Sequence, residues 1–101
     1  MVWTVLLDKA KNNEVTLIKN DYTPFLKNQW VPYGTIKKVK SKPKSYAVKH
    51  SITCYDIYVQ IKSTSEKKLN TLTKNYDKVK VTPEEVKTVS PYSVIHKIVN
   101  Y

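Results

Sequence analysis

The chain has 101 residues, 41% of them hydrophobic, which suits one domain with its own core and leaves no room for a second. A single cysteine excludes an internal disulfide, a single glycine excludes glycine-rich phosphate loops, and no run approaches the roughly 20 apolar residues of a membrane span. The formal net charge is +10, carried by 18 lysines with no arginine against 8 acids, and this imbalance directs attention to negatively charged partners.

In chain order, Trp3, Val5 and Leu7 alternate with Thr4 and Asp8, residues 9–13 have turn character, and Val15 and Leu17 resume the alternation. This pattern predicts an N-terminal β-hairpin. Residues 20–34 read as a long connection punctuated by Pro24, Pro32 and Gly34. Residues 35–40 and 46–49 flank Ser41-Lys-Pro-Lys-Ser45 and predict a second hairpin with a lysine-rich tip around Pro43. Residues 51–62 read as one strand, with Tyr55, Ile57, Val59 and Ile61 on its apolar face and Asp56, Tyr58, Gln60 and Lys62 opposite. That strand is expected to run on from residue 46 with a bend near His50.

The period then changes. Ser63 with Glu66 fits a capping box, and Leu69, Leu72 and Tyr76 recur at helical spacing, which predicts a helix over residues 64–76. Lys78–Val81 reads as a short strand. Thr82-Pro-Glu-Glu85 combines a capping threonine, proline in the first turn and two acids that the helix dipole favours. Ser90-Pro91 interrupts this helix, and Val94, Ile95, Ile98 and Val99 mark a final helical stripe, although their β-branching leaves a strand open. The expected fold is a single α+β domain over residues 1–101: an antiparallel sheet of about five strands, built from N-terminal hairpins, with C-terminal helices packed on one face.

Charge is unevenly placed. Residues 1–26 are neutral overall, residues 27–55 carry seven lysines and no acid, and residues 56–101 carry a net of +3. An AT-rich genome explains lysine in place of arginine, but it does not explain scarce Asp and Glu. The expected phosphate contacts are Lys37, Lys38, Lys40, Lys42, Lys44 and Lys49, with Lys27 nearby. On an extended hairpin, Lys38, Lys40, Lys42 and Lys44 would form a row of ammonium groups about 6.6 Å apart. The bland account of the same block is a solvated hairpin that keeps the protein soluble.

Lysine acts as a flexible point charge and lacks the planar fork of arginine, so the expected reading is of backbone rather than base sequence. Tyr22, Phe25, Trp30 and Tyr33 lie close enough in sequence to stack unpaired bases. Phe25 and Trp30 are expected first as core or loop anchors, whereas Tyr33, Tyr46 and Tyr58 are retained as contacts. The leading expectation is a DNA- or RNA-binding protein of weak sequence specificity. The rival is a viral or mobile-element accessory factor or inhibitor that docks on an acidic surface of a host protein. With about five lysines on phosphate, log K should fall against log salt with a slope near −4.5.

Catalytic signals are sparse. Even-numbered residues share a strand face, but His50 and Cys54 would then sit about 13 Å apart, too far to share a zinc whose ligand bonds are only about 2.0–2.3 Å. His50 reads as a surface histidine, Cys54 as a semi-buried thiol and His96 as a solvated or capping residue. Gln60-Ile-Lys62 on an apolar strand resembles a degenerate form of the PD-(D/E)XK nuclease signature. That resemblance implies a divalent metal held by acids and a lysine that assists hydrolysis. Gln60 and Lys62 match its second part, while Asp56 departs from it by lying on the same strand. No catalytic residue, metal or cofactor is therefore assigned. The apolar residues 1–7 end at Asp8 without a basic leader, so a cytoplasmic location is expected, in the host cell if the source is viral. An edge strand in the first hairpin leaves a homodimer open.

Overall fold

A computed structural model describes residues 1–8, 14–52, 55–90 and 92–101, without the side chains of Ile52 and Tyr55. The described elements run β1 (Val2–Leu7), β2 (Val15–Lys19), β3 (Trp30–Val31), β4 (Gly34–Lys37), β5 (Val48–Ile52), β6 (Tyr55–Ser63), α1 (Glu66–Leu72), β7 (Lys78–Val81), α2 (Val86–Val89) and α3 (Ser93–Val99). The α+β class holds. In place of one antiparallel sheet there are two: a four-stranded mixed sheet in the order β4-β1-β6-β5 and a three-stranded antiparallel sheet in the order β3-β2-β7. No helix among the described residues is long and apolar enough to cross a membrane.

Neither predicted hairpin forms. β1 pairs with β4 and, in parallel, with β6, whereas β2 joins the other sheet. The reason is visible in burial. β1 alternates, with Trp3, Val5 and Leu7 inward, but Val15, Thr16, Leu17 and Ile18 of β2 are all buried. A strand buried on both faces runs through the interior and cannot lie flat beside its predecessor at a solvated face. Asp8, itself buried, fixes the passage between sheets by accepting from the Thr16 amide at 2.8 Å and the Thr16 hydroxyl at 2.7 Å. The predicted turn at 9–13 lies outside the described residues.

The second hairpin fails because β4 and β5 occupy opposite edges of the mixed sheet. Gly34 lets β4 approach β1 closely: a Cβ there would sit 1.9 Å from the Thr4 carbonyl oxygen. The expected single strand at 51–62 is instead an antiparallel pair, with His50 opposite Ile57 and Ser51 opposite Asp56. Its alternation survives in β6, where Ile57 and Val59 are fully buried and Asp56 and Lys62 are exposed.

Residues of both sheets and of α2 and α3 share one apolar core, which includes Trp3, Ile18, Val59, Val86 and Ile95. Each fully buried aliphatic side chain of this kind contributes about 1.5–3 kcal/mol. Helix α1 is shorter than its pattern suggests. Ser65, not Ser63, caps it by accepting from the Lys68 amide, and β6 consumes Ser63. The helix start expected at Thr82-Pro-Glu-Glu85 is instead a turn ahead of α2, which begins at Val86; in that turn the Glu85 amide donates to the Thr82 hydroxyl and the Thr82 amide to the Glu85 carboxylate. In α3 the stripe Val94, Ile95, Ile98 and Val99 is buried, as its helical spacing requires.

Candidate functional site

Inward-facing residues alternate with outward-facing ones along every strand of the mixed sheet, so the register defines its outer face. Trp3, Val59 and Val48 point inward. Their neighbours Val2, Tyr58 and Lys49 therefore point outward, and pairing of Val2 with Lys37 adds β4. One rung of the outer face thus reads Lys37, Val2, Tyr58, Lys49 across four strands. Its two lysine Cα atoms are separated by three strand spacings, about 14 Å. Lys62 lies further along β6 on the same face, beside Leu6.

Residues 38–47 connect the two edges by crossing this face as a strap. The Tyr46 ring packs on Tyr58 at 5.1 Å with a T-shaped interplanar angle of 61°. Gln60 Nε2 donates to the Ser45 carbonyl at 3.2 Å, and the Ala47 amide donates to the Val59 carbonyl at 2.8 Å. Lys42 and Lys49 stand over the Tyr46 and Tyr58 rings, their ammonium nitrogens 5.2 and 5.8 Å from the centroids. Cation–π attraction of about 0.5–1 kcal/mol per exposed pair biases both ammonium groups toward this aromatic bridge.

A cleft opens on each side of the bridge. The larger, about 410 Å³, is bounded by Ser45, Tyr46, Gln60, Lys62 and Tyr101. The smaller, about 240 Å³, is bounded by Val39, Lys40, Ser41, Lys42, Asp56 and Tyr58. Asp56 is the one carboxylate among the outward strand positions, and it accepts from the Ser51 hydroxyl at 2.9 Å. Among the described residues the only ion pair is Lys80–Glu66, away from this face. No lysine of the strap or of the outer rung has a carboxylate partner among the described residues.

The fold therefore brings together Lys37, Lys40, Lys42, Lys49, Tyr46 and Tyr58, with Lys38 and Lys44 exposed on the strap. The straight row of strap lysines is not present, because residues 38–47 belong to no strand. Two expected contacts lie elsewhere. Lys27 sits in the turn between β2 and β3, on the other sheet. That turn is held by Asn20, whose buried amide donates to Thr23 Oγ1 and to the Phe25 and Leu26 carbonyls, and it places Leu26 and Asn28 at positive φ.

Tyr33 packs its ring on Tyr22 and Tyr76 at 6.2 and 5.9 Å. Tyr22 is itself an internal connector: it accepts from Trp3 Nε1 at 2.8 Å and donates to the Pro32 carbonyl at 2.6 Å, and burial pushes its phenol well above the ordinary range. Phe25 meets Trp3 edge-on at 5.2 Å, which places it in the core. Tyr101 and Lys62 were missed as site residues. Lys62 was legible from the alternation of β6, but nothing local in the sequence placed Tyr101 beside it.

Histidines occupy structural positions. His50 faces inward on β5, where burial and then the Lys97 charge push its pKa below the usual imidazole value. His96 Nε2 lies 2.6 Å from the Ser90 carbonyl oxygen and ties α3 to the end of α2. Cys54 lies outside the described residues. Gln60, the residue that resembles a nuclease motif, holds the strap, and no group of three His, Cys, Asp or Glu residues is placed for a metal among the described residues. Comparisons with known protein families, with curated proteins and with solved structures find no significant match.

Proposed function

We propose that the chain binds nucleic acid through the phosphate backbone, with weak sequence preference, using the strapped outer face of the mixed sheet. The observation that supports this reading most directly is the convergence of Lys37, Lys40, Lys42, Lys49 and Lys62 on a face whose strands carry only Asp56 as an opposing charge. Uncompensated ammonium groups raise the local positive potential, attract polyanions at long range and release condensed counterions on contact. Lysine without arginine favours phosphate over base edges. The aromatic bridge keeps two of the ammonium groups raised above the sheet, so less side-chain freedom is lost on binding than for free lysines.

Direct titration against short DNA and RNA at several salt concentrations tests the reading. Five phosphate contacts predict a slope of log K against log salt near −4.5 on duplex and about −3.5 on single strands. The triple substitution Lys37→Glu, Lys42→Glu, Lys49→Glu should abolish binding while circular dichroism stays unchanged. The matched control Lys67→Glu, Lys74→Glu, Lys87→Glu, on other exposed surfaces, should retain most of it. Wild-type affinity in the first triple variant, or salt-insensitive binding, would sink the proposal and favour docking on an acidic protein.

A further inference from the structure

We infer that the larger cleft beside the strap seats one unpaired nucleobase with its phosphate, making single-stranded nucleic acid the preferred ligand of this face. The inference rests on the nucleic-acid reading above and adds the class of ligand. At about 410 Å³ the cleft lies within the size range of small-ligand sites, about 300–1,000 Å³. Its walls supply what a nucleotide needs. Tyr46 and Tyr101 bring aromatic rings, and Lys62 brings an ammonium group for the phosphate.

The wall formed by the strap is held in place before any ligand arrives. Gln60 donates to the Ser45 carbonyl, and Tyr46 is braced edge-on by Tyr58. Tyr101, which lines the cleft, is 69% exposed. Aromatic surface of this kind is sequence-tolerant, because every base has a π-face to stack. Bases in a duplex keep both faces stacked and their pairing edges engaged. They reach a cleft of this size only after extrusion, which costs a few kcal/mol. The smaller cleft does not qualify, since at about 240 Å³ it falls below that size range.

The test compares an oligothymidylate of about 12 nucleotides with a blunt duplex of equal phosphate number, by fluorescence anisotropy at fixed salt. The wild-type protein should favour the single strand by at least about fivefold. Tyr101→Ala should weaken single-strand binding about 5- to 100-fold, the worth of one stacked base, and leave duplex binding and both salt slopes unchanged. Tyr101→Phe should restore the wild-type preference. Equal affinity for the two probes, no effect of Tyr101→Ala, or an equal loss on both probes would each overturn the base seat.

The glutamate triple variant separates this outcome from failure of the broader reading. If it loses both probes while Tyr101→Ala changes nothing, the seat alone falls. If it binds both as wild type does, backbone binding falls with it.

Discussion

Replacing Tyr22 by phenylalanine removes one oxygen and strands two partners, the Trp3 indole N–H and the Pro32 carbonyl. Trp3 is fully buried, so water cannot replace the lost acceptor. An orphaned buried polar group costs about 1–3 kcal/mol, and urea denaturation of Tyr22→Phe should show a loss of that size. An unchanged midpoint would mean that the indole finds another acceptor.

His50 makes a different kind of prediction. Its folded pKa lies below the unfolded value near 6.5, because burial and then Lys97 disfavour the imidazolium. The unfolded chain therefore binds the proton more readily. Stability is unaffected above the unfolded pKa and declines as pH falls from about 6.5 through the folded value. Thermal melts between pH 7.5 and 5.5 should show a steeper fall for wild type than for His50→Gln, and parallel curves would remove His50 as the cause.

At the scale of elements, alternation identified which residues face the core but not which strands pair. The odd and even faces of β6 follow directly from the residues at 56–62, and the stripe of α3 is a local signal that the fold satisfies. The partners of β1 were not legible, because a strand that turns back within its own sheet and one that crosses to a second sheet carry the same alternation. The adjacent apolar pair Leu17-Ile18, which breaks the alternation of β2, was the available clue.

The site was legible to the same degree. The lysine block was plain, but its arrangement depends on β4 and β5 lying at opposite edges, a property of pairing rather than of local pattern. Gly34 is the most exacting position in that arrangement. Gly34→Ala sets a methyl group 1.9 Å from the Thr4 carbonyl oxygen, a backbone atom that cannot swing aside. Overpacking of this sort costs about 1–3 kcal/mol and sometimes more. Since β4 carries Lys37, the variant should lose both stability and binding, as read by melting temperature and anisotropy. Wild-type stability would show that β4 can shift outward at little cost.

For the whole molecule, the mixed sheet has a parallel seam at its centre, between β1 and a strand made much later. Val2 pairs with Tyr58, so the parallel partner of β1 is synthesised about 3–11 seconds afterwards at translation rates of about 5–20 residues per second, later than its other neighbour β4. Over that interval Trp3, Val5 and Leu7 leave the ribosome without the surface that will cover them. Until β6 emerges, the nascent chain thus carries a short sticky segment at β1, a natural target for a holding chaperone. Completion of the lysine-bearing face must wait until β6 has emerged.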